Sequence, residues 1–173
     1  GSKFSATKEY NGISFFGVGS GTEVSNIYTF ESGDDAVEFF GGAVNASNLV
    51  SFAADDDGLD FDNGFTGTIT NAVVIADKNS THSQSGGKPD SNGIELDNNA
   101  ASEDASFGLL PKTHPTLNNV SVYGVNNSGD AALYKYGARI RRGGEITLNN
   151  VVITGFTHGV VFDGDTNATW SSV

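Results

Sequence analysis

The sequence predicts an all-β chain wound as a solenoid, and three observations carry that expectation. Apolar residues make up 37% of the chain, yet no helical period is sustained over any long window and 23 glycines interrupt it. Val, Ile, Phe and Thr recur in short runs bounded by Gly, Asn and Asp, which is a strand-and-turn pattern. The runs also repeat, in a degenerate register set by Asn.

Two sets of predicted strands alternate along the chain. One set holds "GISFF" (12–16), "AVEFF" (36–40), "GLDFD" (58–62), "GIELD" (93–97), "ARIRR" (138–142) and "GVVFD" (159–163). The other holds "SNIYTF", "SNLVSF", "TNAVVI", "NNVSVY" and "NNVVIT", aligned on Asn26, Asn48, Asn71, Asn119 and Asn150. The steps between those asparagines are 22, 23, 48 and 31 residues, the longer ones stretched by polar insertions at about 77–91, 98–115 and 125–137. A unit of about 22 residues with three short strands cannot bury its apolar face alone, whereas stacked units share one core. The expectation is a right-handed parallel β-helix of about six coils, a single domain over 1–173. Gly1-Ser2 reads as a cloning remnant, with the natural protein extending further.

Asn both donates and accepts, so aligned asparagines can satisfy the backbone of a buried turn and bond their equivalents one coil away. Asn26, Asn48, Asn71, Asn119 and Asn150 are therefore expected to form an internal ladder.

The formal net charge of −12 excludes a nucleic-acid surface, which needs clustered Lys and Arg. Residues 9–77 hold twelve acids and no Lys or Arg, while Arg139, Arg141 and Arg142 cluster later. There is no cysteine, hence no disulfide, thiolate ligand or thiol nucleophile. No segment is apolar enough to span a membrane.

Alternation along the first strand set sends Ile13/Phe15, Val37/Phe39, Leu59/Phe61, Ile94/Leu96, Ala138/Ile140 and Val160/Phe162 to the core. The residues between them, Ser14, Glu38, Asp60, Glu95, Arg139 and Val161, must then point outward. With coils about 4.8 Å apart, Glu38, Asp60 and Glu95 form a column of carboxylates that ends at Arg139. Asp62, Asp97, Arg141 and Asp163 follow one position past the strands, and Asp34, Asp35, Asp56, Asp57 and Asn92 precede them. The expectation is an acidic surface strip about three coils long.

Carboxylates this close require compensation. A hard cation such as Ca²⁺ takes six to eight oxygens, and Asp35, Glu38, Asp57, Asp60, Asp62, Glu95 and Asp97 are the candidate metal ligands. A raised pKa on one acid would suit general acid chemistry, with Glu38, Asp60, Glu95 and Arg139 as catalytic candidates. Arginine pairing is a third route, Glu95 with Arg139 and Asp97 and Asp163 with Arg141. A solvated, salt-screened face is the fourth. Elsewhere, His82, His114 and His158 lack ligand spacing, Trp170 reads as packing, and "GVGSGT" (17–22) lacks the Lys of a phosphate loop.

The ordered motifs "GVGSGT", "DDAVEFFGG" (34–42) and "DDGLDFDNG" (56–64) resemble a group of bacterial exported β-helix proteins. "SNGIELDNN" (91–99), "THPTLNNVSVYG" (113–124), "ARIRRGG" (138–144) and "ITGFTHGVVFDG" (153–164) extend the resemblance to residues 10–165. It implies the pectate-lyase-like right-handed β-helix, exported to the surface or medium of a bacterium, without implying an activity. Phe61 departs from that group, which carries Trp there. "GDD" (33–35), "THG" (157–159) and "RIR" (139–141) are also similar to polygalacturonase motifs, but in the wrong order, so no catalytic role is carried over. The resulting expectation is a non-catalytic module that binds Ca²⁺ on its acidic strip and contacts polysaccharide or serves adhesion. The alternative is a polysaccharide lyase or glycoside hydrolase working on acidic glycans through the outward carboxylates.

Overall fold

Runs of four to eight β-branched and aromatic residues, each closed by Gly, Asn or Asp, are too short for helices, and the computed structural model contains strands throughout. It describes residues 2, 4–5, 8–80, 83–85, 88–126 and 133–163. In chain order the strands are β1 (Ile13–Phe16), β2 (Glu23–Phe30), β3 (Val37–Phe40), β4 (Asn45–Phe52), β5 (Leu59–Asp62) and β6 (Thr68–Ile75). There follow β7 (Gln84–Ser85), β8 (Lys88–Pro89), β9 (Ser91–Leu96), β10 (Thr116–Tyr123), β11 (Tyr134–Ile140), β12 (Thr147–Thr154) and β13 (His158–Phe162).

Successive strands go to different sheets. One sheet runs β1-β3-β5-β9-β11-β13 and the other β12-β10-β6-β4-β2, with every pairing in both parallel. The chain thus winds between two stacked sheets as a parallel β-helix, and the six-stranded sheet supplies the six expected coils. The first long insertion contains the short antiparallel pair β7-β8.

The asparagine ladder forms, but on the outside rather than within. Asn26, Asn48, Asn71, Asn119 and Asn150 are all exposed, and all have positive φ, between 53° and 58°. Left-handed backbone is costly for residues with a Cβ and least so for Asn and Gly. Each Asn bends its eight-residue strand into two, so the inward positions flanking it lie three apart, as with Ala46 and Leu49 or Ile69 and Ala72. Each compact coil thus holds one short strand and one bent eight-residue strand, where three short strands were expected. The side chains then bond from coil to coil: Asn48 donates to Asn26 at 3.1 Å, Asn71 to Asn48 at 3.3 Å, Asn119 to Asn71 at 3.2 Å and Asn150 to Asn119 at 2.8 Å.

The core lies between the sheets. Phe39, Leu59, Phe61, Ile94, Leu96 and Ile140 are fully buried against Leu49, Ile69, Val74, Leu117 and Val122. Phe15, Phe39 and Phe61 stack along the axis with ring centroids 5.0 and 5.4 Å apart, and Phe65 packs beside Phe61 at 5.4 Å and Phe39 at 4.7 Å. Val160 differs from expectation: it is 39% exposed, and among the described residues β13 has a strand neighbour on one side, β11.

Coils approach one another closely at the start of the short strands. A Cβ on Gly58 would stand 2.7 Å from the carbonyl oxygen of Gly93, and one on Gly93 would stand 2.6 Å from that of Gly137. Glycine there lets successive turns stack without a spacer, which holds the neighbouring Asp57 and Asn92 side chains in line.

Candidate metal centre

The site grows out of one coil, "SFAADDDGLDFDNG" (51–64). Leu59 and Phe61 enter the core at 0% exposure, so Asp60 between them leaves on the opposite face. Strand pairing then aligns Ser14, Glu38, Asp60, Glu95, Arg139 and Val161 in one column, as the alternation predicts.

The strip expected at the surface is instead largely buried. Glu38, Asp60 and Glu95 are 8%, 9% and 7% exposed, and Asp57 only 3%. A second column, one residue ahead of the close-packed turns, accounts for this. Backbone bonds place Asn11, Asp35, Asp57 and Asn92 one above another, and strand pairing continues the line through Tyr136 and His158. Side chains of this column lie over the first. Asn11 donates to Glu38 and Asn92 to Glu95, while the Asp35 carboxylate accepts the Asp57 N–H at 2.9 Å and Asp57 accepts the Asn92 N–H at 2.6 Å.

The carboxylates divide into two neighbourhoods. Towards the later coils, arginines neutralise them. Arg141 bonds Glu95 and, at 2.6 Å, Asp97; Arg142 reaches Asp97 at 2.6 Å; Arg139 bonds Asp90 and, at 2.6 Å, Asp163, with Glu95 at 3.5 Å. Asp163 therefore pairs with Arg139 and not with the expected Arg141, and Glu95 and Asp97 sit in an ion-pair network rather than among uncompensated acids. Towards the middle coils the acids face one another. Asp35, Asp57 and Asp60 bring one oxygen each within 4.8 Å of the others, as do Glu38, Asp60 and Asp62, and likewise Asp34, Asp35 and Asp56.

Burial and mutual repulsion raise the affinity of this cluster for protons. Desolvation foremost, then the neighbouring carboxylates, holds Asp35, Asp57 and Asp60 well above the ordinary range, and desolvation raises Glu38. Asp56 and Asp62 are pushed up to about 7, again by burial first. Glu95 rises to about 8, where burial outweighs the pull of Arg141. One oxygen of Asp60, Oδ1, is buried without a hydrogen-bond partner among the described residues. An unmet buried anion is costly, so this cluster must take up protons or a cation. Two oxygens on one Ca²⁺, each at 2.3–2.6 Å, can stand no more than about 5 Å apart, a limit the 4.8 Å groups meet.

Asn11, Asn92 and Asp90 are the site residues that the sequence reading did not single out as partners. The signal for Asn11 and Asn92 was the Asn-Gly pair at 11–12 and at 92–93; Asp90, followed by Ser91, carried none. Of the isolated histidines, His114 pairs with Glu145 at 3.1 Å and His158 stacks on Tyr136. His82 and Trp170 lie outside the described residues.

The sequence model of one family, described as a pectate-lyase like beta helix domain, matches residues 1–173. Neither a curated protein nor a solved structure matches the chain.

Proposed function

Because the chain belongs to the pectate-lyase-like β-helix domain family, we propose that it is an exported, non-catalytic module that binds Ca²⁺ within its buried acidic cluster and serves glycan contact or adhesion at a bacterial surface. The observation that carries the cation reading is Asp60: a carboxylate 9% exposed, with one oxygen unpartnered among the described residues, grouped with Asp35 and Asp57 and with Glu38 and Asp62. Hard oxygen donors at this spacing suit Ca²⁺ better than softer metals, which favour imidazole or thiolate. Calorimetric titration of chelator-treated protein with Ca²⁺ tests it. Binding heat with a raised melting temperature is expected, and the absence of both overturns the reading.

Glycan contact draws support from an open groove of about 550 Å³ beside β2, β4 and β6, lined by Thr22, Glu23, Asn45, Ser47, Thr68 and Thr70. Short hydroxyl and amide side chains of this kind hydrogen-bond sugar hydroxyls. Export follows the habit of such domains, and no helix among the described residues is long and apolar enough to cross a membrane.

A lyase or hydrolase is the second reading, favoured by one feature: Arg139 stands in register beside Glu95, a carboxyl pushed up to about 8. Uronic-acid polymers incubated with the protein would yield unsaturated products or new reducing ends. Activity that persists in both Asp60→Asn and Glu95→Gln variants would clear these residues of a catalytic role.

A further inference from the structure

We infer that the acidic cluster holds two divalent cations, one on each side of Asp60, whose carboxylate both ions share; this rests on the cation reading above. Two of the oxygen groups meet at Asp60 and at no other residue. Asp35 and Asp57 complete one, Glu38 and Asp62 the other. Asp57 lies two positions before β5 and Asp62 ends it, with Asp60 in its middle, so the two groups flank the strand residue from opposite ends.

Charge leads to the same number. Asp35, Glu38, Asp57, Asp60 and Asp62 carry five formal negative charges, and the ion pairs of Arg139, Arg141 and Arg142 go to Asp90, Glu95, Asp97 and Asp163 instead. With all five deprotonated, one divalent ion would leave three of these charges and two ions would leave one. A carboxylate offers about four lone-pair sites on two oxygens, enough to bridge two metals. Asp60 has an oxygen, unpartnered among the described residues, to give to that task. The third group, Asp34, Asp35 and Asp56, meets the first at Asp35 but has two half-buried members, one of which, Asp56, is already hydrogen-bonded by Ser83.

The two positions also differ in access. Asp35, Asp57 and Asp60 are all buried, while Asp62 of the second group is half-buried. The ion held by Glu38, Asp60 and Asp62 should therefore exchange faster.

Metal content of the intact protein, measured by native mass spectrometry and by Ca²⁺ titration calorimetry after chelator treatment, tests the inference without any variant. Two ions per chain are expected. One ion per chain overturns this inference and leaves the cation reading standing, whereas none overturns both. Among variants that keep the wild-type far-UV circular dichroism, Asp57→Asn and Asp62→Asn should each bind one ion and Asp60→Asn should lose affinity at both positions. Retention of two ions by Asp60→Asn would overturn the shared carboxylate.

Discussion

Asn71 shows how one residue type can be right for a reason the sequence does not display. Its φ of 58° bends β6, and its amide joins Asn48 below and Asn119 above. Replacing it with Ala keeps a Cβ in the left-handed region and deletes both ladder bonds, a loss of about 1–3 kcal/mol. Asn71→Gly relieves the backbone cost and loses only the bonds. Urea unfolding should therefore rank wild type above Gly and Gly above Ala; equal Gly and Ala variants would contradict the left-handed requirement. Asp60 gives a second residue-scale expectation. Asp60→Asn removes a charge from the crowded centre, so chelator-treated variant at pH 8 should be more stable than wild type by about 1–3 kcal/mol. With saturating Ca²⁺ the order should reverse. Thermal melts in the two conditions check the crossing.

Within an element, two features decide stability: the close-packed turns and the arginine clamp. A Cβ at position 93 would stand 2.6 Å from the Gly137 carbonyl oxygen, and backbone cannot yield as a flexible side chain can. Gly93→Ala should cost about 1–3 kcal/mol by overpacking and lower the denaturation midpoint. Arg141 spans Glu95 and Asp97, which are 9% and 6% exposed at their side chains. Arg141→Gln leaves Glu95 with Arg139 at 3.5 Å and Asp97 with Arg142 at 2.6 Å as their remaining cations, at a cost of about 1–3 kcal/mol. Equilibrium unfolding at pH 7.5 measures both. The strand set was legible because alternation is local: "GLDFD" sends Leu59 and Phe61 one way and Asp60 the other whatever surrounds it. The pairing of Asp163 with Arg139 was not, since which guanidinium reaches which acid depends on two coils and an insertion at once.

For the whole molecule, the buried acids set how stability follows pH. Asp56 and Asp62 near 7 and Glu95 near 8 bind protons more tightly folded than unfolded, where carboxylates titrate at about 4. The folded state thus holds more protons between about pH 4 and 8, and stability falls as pH rises through that interval. The contribution is complete below about pH 4 and gone above about pH 8. Ca²⁺ needs the deprotonated acids, so its affinity should climb over the same range. Chelator-treated protein should melt lower at pH 8 than at pH 5. Ca²⁺ at 100 times its Kd should then add about 2.7 kcal/mol at pH 8, roughly 5 to 10 °C. A melting temperature that rises with pH in chelator would contradict the buried cluster.

The sequence by itself determined the parallel winding, the number of coils, the inward and outward residues of all but the last strand and the alignment of Glu38, Asp60, Glu95 and Arg139. These follow from a period of two within strands and a repeat between them, both readable along one dimension. Only the tertiary structure decided that the Asn ladder lies outside, that the acidic column is buried and that arginines take Glu95 and Asp97 away from it. Each depends on neighbours one coil distant. A backbone bend turns Asn outward, and a second column from the turn residues covers the first. Spacing distorted by insertions, in steps of 48 and 31 residues, hides such partners from a linear reading.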